Sequence, residues 1–214
     1  MRITCLHTAA SNIAVFEAAA KALGIAPDTL RHEVRADLLA AAELAGGLTE
    51  GITQSTVAVL LALEPHADAV LLTCSTLGPA VESIARTSRV PILRTDEALA
   101  FAAVQADGNV VVLCAVETTL EPTSTLFHRA ALRAGTRVDV QLVPGAWEQF
   151  KAGDIDGYLA TIAQAADRAY VEGASIVALA QASMGEAAAL VTAGPPPLTS
   201  ATSGLRAAMK ALVG

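Results

Sequence analysis

Cys74 is the residue in this chain most ready for chemistry. It ends the run Ala69-Val70-Leu71-Leu72-Thr73 and is followed by Ser75-Thr76-Leu77-Gly78-Pro79. That pattern reads as the end of a buried strand turning into a helix. Hydroxyls and backbone amides at such a turn are donors facing outward at the positive end of a helix, a receptor for negative charge. A helix N-terminus also lowers a thiol pKa and favours the thiolate, and a thiolate can take a proton and return it. The competing reading is structural, because free cysteine is among the most buried residue types. Cys5 and Cys114 fit that second reading, since both lie inside apolar strands.

Three more loops resemble the one after Cys74. His7-Thr8-Ala9-Ala10-Ser11-Asn12 follows the first strand, Glu117-Thr118-Thr119 follows a later one, and Gln181-Ala182-Ser183-Met184-Gly185 ends the strand that corresponds to 69–74. Small polar side chains dominate them. His7, Ser11, Asn12, Ser75, Thr76, Glu117, Thr118, Thr119, Gln181, Ala182 and Ser183 are therefore the candidate substrate-binding residues. Ser11, Asn12, Ser75 and Thr118 have a second reading as helix caps. Gln181 can donate and accept hydrogen bonds but cannot shuttle a proton at neutral pH. Ser183 is a poor base unless another group activates it.

Other signals are weaker. His7, His32, His66 and His128 are scattered without ligand spacing, so no metal constellation is expected. Neither a Walker loop nor a strand-linked GxGxxG occurs, which removes the usual nucleotide signals, and no cofactor is expected. Glu50 and Asp156 read as helix N-terminal acids. Trp147 and Tyr158 read as structural aromatics, and Gly194-Pro195-Pro196-Pro197 as a rigid connector.

The elements that hold these loops are written twice. Cys74 falls on Gln181 and Gly78 on Gly185, an offset of 107. Gly47 to Gly51 matches Gly153 to Gly157 at 106, residues 2–6 match 110–114 at about 108, and residues 90–93 match 196–199 at 106. Nearly constant offset in one order is the mark of an internal repeat. Each half predicts strand, helix, strand, helix, strand, helix, strand, helix. The segments are 2–7, 12–23, 31–34, 49–63, 69–74, 79–88, 92–93 and 97–105 in the first half. In the second they are 109–116, 122–134, 137–143, 155–172, 175–180, 186–192, 198–200 and 204–212. Strands alternating with helices imply βαβ units and a parallel sheet, and uninterrupted Val/Ile/Leu runs imply strands covered on both faces.

The expected fold is α/β: two flavodoxin-like parallel-sheet lobes related by pseudo-twofold symmetry. Residues 1–96 with 201–214 would form one lobe and 97–200 the other. Ligands in such sheets bind beyond the carboxyl ends of the strands, which places the expected active site in the cleft between the lobes.

Composition bounds the rest. Of the residues, 53% are hydrophobic and only 3% aromatic, which suits Ala-rich helices packed closely on a sheet. A net charge of −7 argues against nucleic acid and anionic membrane as partners. No apolar run approaches the roughly 20 residues of a membrane span. No secretory leader is read at the start. An odd cysteine count without CxxC argues against a disulfide framework, so a cytoplasmic location is expected. Ala-rich helix faces make a homo-oligomer a reasonable expectation.

These residues resemble the aspartate/glutamate/hydantoin racemase superfamily, which includes maleate isomerase and arylmalonate decarboxylase. The resemblance is carried by the duplication, by Leu72-Thr73-Cys74-Ser75-Thr76, and by Val111-Val112-Leu113 leading to Glu117-Thr118-Thr119-Leu120-Glu121-Pro122-Thr123. It implies cofactor-independent proton transfer at the carbon next to the carboxylate of a small acid. In the racemases of that group two cysteines face each other across the substrate. Cys74 matches the first, whereas Leu179-Ala180-Gln181 stands where the second would be. A racemase or isomerase with Cys74 as its single catalytic cysteine is the leading expectation. A decarboxylase, or a non-catalytic small-acid binder on the same scaffold, are the alternatives.

Overall fold

A computed structural model describes residues 1–84, 88–105 and 108–213. The chain divides into two compact units, Met1–Ala98 with Ala201–Gly214, and Leu99–Ser200.

The first unit is built on one four-stranded parallel sheet. β1 (Ile3–His7) lies inside it, between β2 (Leu30–Val34) and β3 (Ala69–Leu72), and β4 (Ile92–Arg94) closes the far edge. β1 and β3 are buried at every position, as strands covered on both faces must be. β2 alternates between covered and open residues, the pattern of an edge strand. α1 (Asn12–Ala22) buries Phe16 and Ala20, α2 (Ala36–Ala45) buries Leu38 and Ala42, and α3 (Glu50–Leu63) buries Thr56 and Leu60. Thr49 starts α3 by accepting the Ile52 amide through its hydroxyl.

The second unit repeats this plan, with β5 (Asn109–Cys114) between β6 (Arg137–Leu142) and β7 (Ile176–Leu179), and β8 (Leu198–Thr199) at the edge. α5 (Leu120–Ala134), α6 (Ala146–Lys151) and α7 (Ile155–Val171) accompany the strands. Asp154 starts α7 by accepting the Gly157 amide. The two sheets have the same strand order, and their registers agree: Ile3 pairs with Ala69, and Val110 with Ile176, each 107 positions on. The duplication read from sequence is thus repeated in the backbone pairing.

The linking helices do not end with their own half. α4 (Thr95–Val104) follows β4, yet its Leu99, Ala100 and Ala103 pack in the core of the second unit, beside Val110 and Val112 of β5. α8 (Ser200–Val213) follows β8, and from Ala201 it belongs to the first unit. Gly204 is the residue that admits α8, because a Cβ there would sit 2.6 Å from Thr95 Cγ2.

Three expectations needed revision. α2 and α6 were not foreseen; each is short, and periodicity signals little over so few turns. The helices expected over 79–88 and 186–192 are 3-10 segments, Gly78–Ser83 and Ala182–Leu190. Gly78 and Pro79 open the first of them, and 3-10 turns commonly serve as connectors. Residues 85–87 of the first of these lie outside the described residues. Strand β3 ends at Leu72, so Cys74 stands beyond the strand rather than closing it. Among the described residues no helix is long and apolar enough to cross a membrane.

Candidate active site

In the first sheet the chain moves to one side of β1 to form β2 and to the other to form β3. This reversal creates a crevice at the carboxyl ends of β1 and β3, where ligands of open α/β sheets bind. Thr8 follows β1 at this point, and Thr73, Cys74, Ser75 and Thr76 follow β3. The Cys74 sulfur receives hydrogen bonds from the Thr8 hydroxyl and from the Leu77 and Thr76 amides. These donors favour the thiolate. Burial opposes them and wins: Cys74 is 8% exposed and its thiol is pushed above the ordinary value, with Asp96 adding to the rise. The lowered thiol expected from a following helix is therefore not what this loop produces. Desolvation outweighs the donors, and the segment after Cys74 is a 3-10 turn that lacks a long helix dipole.

The loop after Cys74 rests on an ion pair that sequence reading missed. Arg94 at the end of β4 donates from Nε to Asp96 Oδ1 (2.9 Å) and from Nη2 to Asp96 Oδ2 (2.7 Å). Both side chains are buried, at 4% and 2% exposure. Nη1 lies 3.5 Å from Glu82. Gly78 packs directly on this guanidinium, and a Cβ there would be 2.5 Å from Nη2. The pair thus sets the position of the turn that supplies Cys74 with its amide donors. Arg94-Thr95-Asp96 was visible in the sequence, but nothing in its spacing announced that it would be buried.

His7 is fully buried and turns away from the loop it begins. Its Nδ1 lies 2.9 Å from Thr73 Oγ1, and its Nε2 lies 2.9 Å from His32 Nδ1. Burial, then the neighbouring His32, push His7 down to about 3. Ser11 is exposed and does not cap α1 through its side chain. Asn12 is buried, and its side-chain oxygen is unpartnered among the described residues. Ser75 and Thr76 are buried.

In the second unit Gln181 follows β7, and its amide is committed to its own loop. Oε1 accepts the Ala115 amide (2.5 Å), and Nε2 donates to Thr119 Oγ1 (2.9 Å). Thr119 Oγ1 in turn donates to the Val116 carbonyl (2.6 Å). Buried Cys114 lies among Thr123, Gln181 and Thr119, and burial pushes its thiol up. Ser183 Oγ is 2.9 Å from Tyr158 Oη. Tyr158 is fully buried in the core and its phenol is raised by burial, so it cannot make Ser183 a base. Thr118 is half-buried, Glu117 exposed and Ala182 buried.

The histidines are less scattered than their spacing suggested. His7 and His32 meet across neighbouring strands, with Cys5 beside them. The 25 positions between the histidines hid this, because only the β1–β2 register brings them together.

The parallel α/β architecture of this chain is shared with solved aspartate, glutamate and allantoin racemases. The chain belongs to the Asp/Glu/Hydantoin racemase family, whose sequence pattern matches residues 11–208. Similar solved structures include Picrophilus torridus aspartate racemase, at a TM-score of 0.74 and 14% identity, covering 99% of this chain and 94% of that one. Another is an aspartate racemase homologue from Pyrococcus horikoshii OT3, at a TM-score of 0.68 and 16% identity, covering 100% and 99%. A third is allantoin racemase from Pseudomonas fluorescens, at 0.67 and 18%, covering 98% and 90%. At these identities the likeness speaks for the fold. No curated protein matches the sequence.

Proposed function

We propose that the chain is a cofactor-independent enzyme that moves a proton at the carbon next to the carboxylate of a small acid, with Cys74 as the proton carrier. The observation that supports this most is the surroundings of the Cys74 sulfur, at the switch point of the first sheet with a hydroxyl and two amides donating to it. Those donors hold a transient thiolate after the proton has left. Ser11, Asn12, Ser75 and Thr76 in the first unit, and Thr118 and Thr119 in the second, bind carboxylate oxygens. Gln181 uses its second amide hydrogen, with Ala182 and Ser183 beside it, to orient the substrate. His7 holds Thr73 and so supports the loop from behind, and Glu117 stays at the rim. The aspartate and glutamate racemases among the similar structures support a small carboxylate substrate. Three free thiols suit a reducing cytoplasm, and Ala-rich helices suit a homo-oligomer.

One observation favours a second outcome of the same chemistry. Burial keeps Cys74 protonated at rest, and the matching position in the other half, Gln181, carries no titratable proton. A resting thiol is an acid before it is a base. A substituted malonate would lose carbon dioxide as its carbon–carbon bond breaks, leaving the electron pair on the α-carbon as an enolate. Cys74 would give its proton to that carbon, and water would restore the thiol.

Incubation of small amino acids, hydroxy acids and substituted malonates in deuterium oxide tests both outcomes by NMR. A single-base racemase exchanges the α-proton with retention faster than it inverts the centre, and a decarboxylase yields one α-deuterium per carbon dioxide released. Turnover that is unchanged in Cys74→Ala removes Cys74 from the reaction and the proposal with it.

A further inference from the structure

The buried group behind β1 points to a ligand of a different kind. Cys5 and His7 are two positions apart on β1, so they project from the same face. The register sets His32 of β2 opposite Cys5. One ligand atom from each of the three lies within 4.8 Å of the others. Phe16 of α1 closes the face, its ring set edge-on to His7 at 5.0 Å.

Hydrogen-bond direction fixes what the two rings present to each other. Thr73 Oγ1 spends its hydrogen on the Leu6 carbonyl (3.0 Å), so towards His7 it accepts. His7 therefore carries its hydrogen on Nδ1, and its Nε2 has a lone pair. On the far side, His32 Nε2 faces Glu17 Oε1 at 2.9 Å. A carboxylate only accepts, so His32 carries its hydrogen on Nε2. Without a further proton, Nδ1 of His32 turns a lone pair towards the lone pair of His7 Nε2, 2.9 Å away. Two lone pairs at that distance need one cation between them.

We propose that Cys5, His7 and His32 form a binding site for a transition-metal ion of the zinc class. Thiolate and imidazole are the ligands such ions select. Each ring already has its outer nitrogen held by an oxygen, His7 by Thr73 and His32 by Glu17, the arrangement that orients metal-binding histidines. Tetrahedral zinc needs its two nitrogens about 3.3 Å apart and each about 3.5 Å from the sulfur, so the rings open by about 0.4 Å from 2.9 Å and the widest separation, which lies within 4.8 Å, closes by about 1 Å. Binding forms one metal–sulfur and two metal–nitrogen bonds. It releases the Cys5 thiol proton and the proton otherwise shared by the rings. Three protein ligands leave the fourth position to water. The ion reaches the site past His32, which is 12% exposed on the edge strand beside the half-open Glu17. The site lies within the first unit and does not depend on the proposed reaction.

Titration of the chelator-treated full chain with cobalt(II) tests it. One equivalent is expected to give the thiolate-to-cobalt absorption band in the near ultraviolet, and zinc(II) to abolish it stoichiometrically. Cys5→Ser is expected to remove the band, and Cys74→Ala and Cys114→Ala to keep it. Glu17→Ala on the surface, which leaves all three ligands, is expected to weaken binding about 10–100-fold. Absence of the band in the wild type overturns the proposal and leaves a proton as the shared cation. Persistence of the band in Cys5→Ser overturns it as well. Should Cys5→Ser not fold, an unchanged cobalt affinity in His32→Asn, on the edge strand, is the overturning result.

Discussion

The ends of β3 and β7 share a backbone and differ in chemistry. Thr73 donates its amide to the Leu6 carbonyl, and Ala180, 107 positions on, donates to that of Leu113. One residue further, Cys74 and Gln181 occupy the same place. The sulfur of Cys74 collects donors from Thr8 and two amides. The amide of Gln181 ties Ala115, the counterpart of Thr8, to Thr119. Below the first end lies the Arg94–Asp96 pair. The strand register sets Leu72 opposite Arg94 but Leu179 opposite Thr199, so the second end has no such pair. Strand order and register can thus be repeated almost residue for residue while the side chains at the strand ends take up different tasks. One end is organised around a buried thiol, and the other around its own loop.

The sharpest break in this comparison is Cys74→Ala. On a substrate the wild type turns over, turnover is expected to fall about 10²–10⁴-fold, the range of general acid–base catalysis. Gln181→Ala in the same assay is expected to cost less, since no proton is lost with it. Equal losses in both variants, measured as kcat/KM, would make the two ends alike.

The next effect is on stability. Asp96→Ala leaves Arg94 buried with the exposed Glu97 and Glu82 as the nearby carboxylates. Removing one partner of a buried pair costs about 3–5 kcal/mol, to be read from the urea midpoint at constant slope. Thr199→Ala, at the place in the second sheet that matches Arg94, is expected to change the midpoint far less. A small loss in Asp96→Ala would mean that water or Glu82 replaces the missing carboxylate, and that the first end does not depend on its ion pair.

The repeat was legible because it rests on apolar runs and glycines at constant spacing, and those also fix the sheet. Cys74 stood out because a thiol beside Ser-Thr and Gly-Pro at a strand end is rare enough to notice. The direction of its pKa was not legible. The sequence carries the donors but not the burial, and burial decides. Arg94 and Asp96 escaped for the same reason, as two charged residues that spacing alone assigns to the surface. Cys5, His7 and His32 escaped because strand pairing joins them, and pairing register is not written locally. Ser11 was read as a cap or a ligand, and the structure leaves it open to solvent with no capping bond.

Gln181→Ala sharpens the comparison from the other side. It leaves the amide of buried Ala115 without its acceptor. An unsatisfied buried donor costs about 1–3 kcal/mol, visible as a lowered urea midpoint. Gln181→Glu keeps an acceptor for Ala115 and is expected to recover part of that loss, because its carboxylate can still accept the hydrogen that Thr119 now gives to Val116. No difference between the two variants would mean that the Ala115 contact contributes little.

The smallest effect is the most specific to Cys74. Alkylation of the native protein by iodoacetamide, located by mass spectrometry, is expected to be slow at neutral pH and to rise only above the ordinary thiol range, because burial raises this thiol. The sign for stability follows. A group whose folded pKa is raised stabilises the fold while the pH is below its unfolded value near 9. That contribution is lost as the pH climbs through the raised value. Thr8→Val keeps the shape but withdraws the hydroxyl donor. One net hydrogen bond of about 0.5–1.5 kcal/mol then no longer favours the thiolate, and alkylation of Cys74 at a fixed alkaline pH is expected to slow by roughly two- to tenfold. Ala115→Ser, the reverse change at the second end, is expected to leave Cys74 alkylation untouched. If Thr8→Val alkylates as fast as the wild type, the Thr8 hydroxyl does not act on the sulfur, and the difference between the ends reduces to burial and the two amides.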